Sequence, residues 1–111
     1  MYLRCVRVTI APGRRNDYWA WAKEILGLWE DHGVRRAGGP YSLTGAAGED
    51  IGLWLTVHDS EQQAREQFQA LYSAGRGKEL IALRPPLVAE TTGGSFGQWD
   101  GRGDAPQAPS W

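Results

Sequence analysis

Two short stretches of this chain carry the side chains best suited to chemistry. Trp54, Thr56 and His58 alternate with Leu55 and Val57, and Cys5 and Arg7 flank Val6. On extended backbone, residues two apart share a face, so an indole, a hydroxyl and an imidazole project together, as do a thiol and a guanidinium. An arginine can hold an oxyanion through charge-assisted hydrogen bonds, and an imidazole moves protons near neutral pH. If the two stretches are neighbouring strands, Arg7 and His58 form a catalytic pair suited to isomerisation or cyclisation of a carbonyl compound. Trp54, Thr56, Cys5 and Glu90 would then make ligand contacts, and Arg7 with Glu90 would clamp a polar group of the ligand. The competing reading is structural: a buried ion pair for Arg7 and Glu90, a small core residue for Cys5, a polar element end for His58.

The elements that must position these residues follow from periodicity. Tyr2 to Ile10 reads as a strand, with Val6, Val8 and Ile10 on one face and Cys5, Arg7 and Thr9 on the other. Asn16 or Asp17 can cap a helix that runs to about His32 and stops at Gly33. Its stripe is Tyr18, Trp21, Ala22, Ile25, Leu28 and Trp29, widened by Trp19 and Leu26. Val34 to Gly45 is a weaker strand with a bulge or bend at Gly38-Gly39-Pro40. Ile51 to His58 is the clearest strand. Ser60 and Gln63 fit a capping box for a second helix, buried through Ala64, Phe68, Leu71 and Tyr72. Lys78 to Leu83 adds a short helical turn, and Leu87 to Thr92 a last strand.

The order strand, helix, strand, strand, helix, strand is the ferredoxin-like pattern of an α+β domain with a four-stranded antiparallel sheet. The first strand should lie between the third and fourth, with both helices on one face. Val6, Val8, Ile10, Leu53, Leu55 and Val57 are expected to meet the helices. Cys5, Arg7, Trp54, Thr56 and His58 are expected on the open face. The domain should occupy residues 1–92, followed by a tail, 93–111, rich in Gly and Pro and carrying Phe96, Trp99 and Trp111.

Composition narrows the functional classes. With 12 basic and 13 acidic residues and a net charge of −1, the chain lacks the basic excess of a nucleic-acid protein. No run approaches the roughly 18 apolar residues of a membrane span, and Arg4 and Arg7 interrupt what would be a leader's apolar stretch. Cys5 is the only cysteine, which excludes an intrachain disulfide and fits a reducing cytoplasm. It and two histidines, His32 and His58, make no zinc site, and no cofactor is expected. Neither G-x-x-x-x-G-K-[ST] nor G-x-G-x-x-G follows a strand and opens a helix. Arg102-Gly103-Asp104 is chance composition in a Gly- and Pro-rich segment. The 6 tryptophans require a core, an interface or a ligand to cover them.

Four segments carry a resemblance. They are Thr9-Ile10-Ala11-Pro12-Gly13, the Trp-rich first helix ending in Glu30-Asp31-His32-Gly33, Leu53-Trp54-Leu55 followed by Asp59-Ser60-Glu61, and Leu83-Arg84-Pro85-Pro86-Leu87-Val88. Over residues 2–92 the chain resembles the dimeric α/β-barrel superfamily, NIPSNAP-type domains most closely and antibiotic-biosynthesis monooxygenases more distantly. The resemblance implies a homodimer whose two sheets close a barrel, with ligands between sheet and helices or inside the barrel. It also implies oxygenation, haem degradation or cyclisation as chemistries of the fold. Oxygenase and haem-degrading relatives pair the aromatic with an asparagine on an early strand; the one asparagine here is Asn16, outside the first strand, which counts against both. The expected function is binding, and with it oxygenation, isomerisation or cyclisation, of a small apolar or aromatic molecule. The alternative is a non-catalytic dimerisation or interaction module with a packed barrel.

Overall fold

The two-residue period of Val6, Val8 and Ile10 forms β1 (Tyr2–Ile10) in the computed structural model, which describes residues 1–97. It is followed by α1 (Arg15–Asp31), β2 (Arg35–Thr44), β3 (Asp50–His58), α2 (Glu61–Tyr72), α3 (Gly75–Ala82), a 3-10 turn at Pro85–Leu87 and β4 (Val88–Gly97). The four strands form one sheet in the order β2-β3-β1-β4, each pair antiparallel, so the first strand is central as the pattern requires. Among the described residues no helix is long and apolar enough to cross a membrane.

Local signals set most element ends. At the C-terminus of α1, Gly33 takes φ 70°. Its N–H donates to the Glu30 carbonyl while the Val34 N–H reaches back to the Trp29 carbonyl at 2.9 Å, the paired bonds of a glycine-terminated helix. At the other end, neither Asn16 nor Asp17 is the cap. The helix begins at Arg15, and the flanking Arg14 makes no side-chain cap bond. Asp17 instead lies in the first turn, 3.3 Å from Arg14 Nε, where a carboxylate suits the positive end of the helix dipole. The cap of α2 is as expected: the Gln63 N–H donates to Ser60 Oγ at 3.0 Å. Gln63 returns the bond one residue upstream, its Oε1 accepting from the Asp59 N–H at 3.3 Å. In β2 the register against β3 shifts between Arg36 and Gly38 and again between Gly38 and Tyr41, which is the expected bulge.

β4 continues past Thr92. It pairs with β1 as far as Tyr2 opposite Gly97, so residues 93–97 are sheet rather than tail. Glycine is a poor strand former, but β1 runs the full length of the edge and its backbone groups require partners. The remainder of the expected tail, with Trp99 and Trp111, lies outside the described residues.

The faces of the sheet differ from the sequence expectation in one respect. Within each strand the alternation is as read, but Val6 stands opposite Trp54, Val8 opposite Gly52 and Arg4 opposite Thr56. Directly paired residues share a face. Trp54, Thr56 and His58 therefore face the helices together with Val6 and Val8, while Leu53, Leu55 and Val57 share the open face with Leu3, Cys5 and Arg7. A one-residue difference in register exchanges the two sides of a strand completely. The helix–sheet core accordingly contains Val8, Ile10, Tyr18, Trp21, Ile25, Trp29, Trp54, Phe68 and Leu80, and Leu55 is not part of it.

Removing a buried aromatic side chain costs about 3–5 kcal/mol. Phe68→Ala should lower the unfolding free energy by that amount in a denaturant titration at submicromolar chain concentration. Leu55→Ala, on the half-buried far face, should cost less than half as much; equal losses would contradict the register.

Candidate functional site

Large side chains on α1 hold the helices away from the sheet and leave a cleft between them. Its volume is about 560 Å³, and β1, β3 and β4 floor it through Val6, Val8, Trp54 and Thr91. Tyr18, Trp21, Ile25 and Trp29 of α1 form one wall, Phe68 and Tyr72 of α2 another, and Ile81, Arg84 and Pro85 close the third side. Arg4 enters from the floor.

The aromatic lining is locked by its own polar atoms. Trp54 Nε1–H donates to the Tyr18 hydroxyl at 2.8 Å, Trp29 Nε1–H to the Tyr72 hydroxyl at 2.8 Å, and Trp21 Nε1–H to the Leu80 carbonyl at 2.7 Å. Gly52 makes room for the first of these, since a Cβ there would stand 3.2 Å from both the ring and the hydroxyl of Tyr18. Trp29 meets Trp54 edge-on with centroids 5.2 Å apart, and Phe68 stacks on Tyr72 at 6.0 Å. Trp19 stacks on Trp54 at 6.4 Å, its buried Nε1 without a partner among the described residues.

The charged groups on the cleft are arginines. The Arg4 guanidinium lies 4.5 Å from the centre of the Phe68 ring, a cation–π contact. Burial lowers its pKa from the ordinary arginine value, and it stays charged at neutral pH. Arg84 donates to Thr91 Oγ1 at 2.7 Å. Burial raises the pKa of both Tyr18 and Tyr72, so both remain protonated. Each accepts a bond from an indole, and among the described residues neither phenolic proton has an acceptor.

The residues singled out in the sequence are divided between the two faces. Trp54 lines the cleft. Thr56 and His58 are on the same face, each 1% exposed, but they are enclosed beside the cleft. His58 Nε2 lies 2.8 Å from Thr56 Oγ1, and Nδ1 lies 3.2 Å from Gln67 Oε1. Since the amide oxygen only accepts, Nδ1 carries the proton and Nε2 accepts from the threonine hydroxyl. Arg7, Cys5 and Glu90 are across the sheet, so Arg7 and His58 are not brought together. Arg7 is 3.9 Å from Glu49 rather than paired with Glu90, which stands exposed opposite Thr9. Cys5 is free and buried, and burial raises its thiol pKa. His32 is exposed at the end of α1, its Nδ1 2.9 Å from the Leu28 carbonyl. Among the described residues no group of His, Cys, Asp and Glu could hold a metal ion.

Arg4, Arg84, Tyr18 and Tyr72 were not singled out in the sequence. The available signal was Tyr18 itself. A tyrosine hydroxyl in a helix stripe needs a buried partner, and the indole of Trp54 can supply one only if β3 turns that side inward. Arg4 then follows, because it lies two residues from the inward-facing Val6.

Solved structures share this fold. An uncharacterised NIPSNAP-domain protein from Burkholderia xenovorans superposes with a TM-score of 0.73 at 13% identity, covering 94% of this chain and 100% of that one. The fold is that of the NIPSNAP-domain proteins. A NIPSNAP-family protein from Agrobacterium tumefaciens matches with a TM-score of 0.67 at 16% identity, over 91% of this chain and 88% of its own. The NIPSNAP fold extends more distantly to an antibiotic biosynthesis monooxygenase, so assigned provisionally, from Nitrosomonas europaea. That protein has a TM-score of 0.58 and 12% identity, with 88% and 98% of the two chains covered. No protein-family model matches the sequence, and no curated protein matches it significantly. What this chain shares with the three is the overall fold.

His58 yields a pH prediction. Burial, the largest cause, lowers its pKa from the ordinary value; Arg4 and Arg35 lower it further, against bonds from Gln67 and Gln63 that raise it. Tyr2 and Phe68 are the rings packed against it. The folded chain keeps this imidazole neutral while the unfolded chain protonates it below about pH 6.5. Its contribution is therefore complete above that pH and is lost as pH falls toward the folded value. His58→Gln should flatten the decline in unfolding free energy between about pH 6.5 and 5, followed by denaturant titration; an unchanged slope would contradict a buried neutral His58.

Proposed function

We propose that this chain binds a small molecule with an aromatic or apolar body in the cleft between its sheet and its helices. The observation that carries this reading is the open volume itself: about 560 Å³, within the roughly 300–1,000 Å³ of small-molecule sites, in a place where tight packing would be the rule. The lining fits the usual recipe of apolar walls with a few polar groups. It counts against the alternative of a packed, purely structural module. Arginine and protonated tyrosine are poor proton acceptors at neutral pH, so the groups lining the cleft favour binding over acid–base turnover. The single buried thiol supports a reducing, cytoplasmic setting.

We further propose that the open sheet face pairs with a second copy of the chain. Half-buried Leu3, Leu53, Leu55 and Val57 form an apolar surface there. The register adds Tyr41, opposite Leu53, and Leu43, opposite Ile51, which are 48% and 45% exposed. Two such faces stack at the usual spacing of packed sheets, and two-fold pairing is the commonest symmetry.

Two measurements test these readings. Adding 2-naphthamide, an uncharged aromatic probe, should shift the indole N–H resonances of Trp21, Trp29 and Trp54 in a saturable way; unmoved indoles would overturn the cleft as a binding site. Sedimentation equilibrium at micromolar concentration should show a dimer that Leu53→Asp with Leu55→Asp converts to monomer. A wild-type monomer would overturn the pairing.

A further inference from the structure

Resting on the reading that the cleft holds a ligand, we propose that the ligand is an organic acid: an apolar or aromatic body ending in one carboxylate, held between Arg4 and Arg84. The two arginines share the cleft, and Arg84 adds to burial, the larger cause, in disfavouring the positive charge of Arg4. Like charges in a partly desolvated site repel unless an anion lies between them.

The described part of the chain supplies no such anion. Most of its carboxylates pair with other arginines: Glu49 with Arg7, Asp17 with Arg14, Asp50 with Arg15, Asp59 with Arg35, Glu61 with Arg65, and Glu24 and Glu79 with Arg76; the others, Glu30, Asp31, Glu66 and Glu90, are exposed. Among the described residues, Arg4 and Arg84 have no carboxylate within ion-pair distance. Phe68 covers one face of the Arg4 guanidinium, and Thr91 takes one donor of Arg84. A guanidinium has five donors, so most remain to be satisfied.

The tyrosines point to the same chemistry. Tyr18 and Tyr72 each have an oxygen engaged by an indole N–H and a proton with no acceptor among the described residues. Burial keeps that proton in place. Two cations and two hydroxyl donors on an otherwise apolar cleft make a donor-rich site, complementary to an acceptor-only group such as a carboxylate. The aromatic walls then take the apolar body.

The test uses the full chain and three probes of one shape: 2-naphthoate, 2-naphthamide and 2-naphthyl phosphate, titrated calorimetrically at pH 7 with indole N–H shifts as a second readout. The naphthoate should bind at least about ten-fold more tightly than the amide, the gain of a charge-assisted hydrogen bond. That preference should disappear in Arg4→Gln and shrink in Arg84→Gln. If Arg4→Gln does not fold, the acid–amide ratio on the unaltered chain and the Arg84→Gln variant decide the matter. Equal affinities for acid and amide, with the cleft indoles still shifting, would overturn the organic acid and leave the cleft as an apolar site. Tightest binding by the naphthyl phosphate would replace the carboxylate with a phosphate. No indole shift with any probe would overturn both this inference and the binding reading beneath it.

Discussion

The register of β1 against β3 decides what this molecule can do. With Val6 opposite Trp54, every second residue of β3 from Gly52 to His58 faces the helices. A shift by one residue would put Leu53, Leu55 and Val57 under α1 and expose the indole, the hydroxyl and the imidazole instead. The observed register is held by complementary shapes and bonds rather than by hydrophobicity alone. Gly52 admits Tyr18, and the Tyr18 hydroxyl accepts the Trp54 indole N–H at 2.8 Å. The outward alternative would leave both polar atoms without this bond, and an unsatisfied buried group costs about 1–3 kcal/mol.

From that register come two surfaces of different character. The helix side is aromatic and hydrogen-bonded: rigid rings, three indole N–H groups each bonded to oxygen, and a space that the rings leave open. The far side is aliphatic, with Leu53, Leu55 and Val57 beside Cys5 and Arg7. An aliphatic sheet face suits pairing with a like face, whereas a fixed aromatic cleft with cations suits a ligand. The division gives the proposed pairing and the proposed binding opposite sides of one sheet, so neither would have to give way to the other.

Much of this was legible in the sequence. The element order, the bulge at Gly38 and Gly39, the Ser60–Gln63 cap and the role of Gly33 follow from local spacing, and the central first strand from the ferredoxin-like pattern that the order spells. The alternation within β3 was legible too. What was not legible was which of its two sets faces inward, because Ile51, Leu53, Leu55 and Val57 are the more hydrophobic set and hydrophobicity ranks them as core. That ranking fails when the open face is itself apolar, and when the inward polar groups are bonded, as Thr56 is to His58 and His58 to Gln67. Arg4 was missed although β1 was read the right way round, with Val6 inward: a charged residue beside apolar neighbours reads as outward-facing unless a ring such as Phe68 is known to cover it. The extent of β4 was hidden for another reason, since Gly93 and Gly94 signal a break that the free edge of β1 overrides.

The central claim is that a ligand occupies the helix side of the sheet and not its open face. Intermolecular NOEs from 2-naphthoate bound to isotope-labelled chain test it most directly, because the two faces carry distinct reporters. The protons of Trp21, Trp29 and Trp54 mark the cleft, and the methyl groups of Leu53, Leu55 and Val57 mark the far face. Contacts from the naphthalene ring to the tryptophans, with none to those methyls, are the expected result. Contacts to the leucine and valine methyls without contacts to the tryptophans would contradict it.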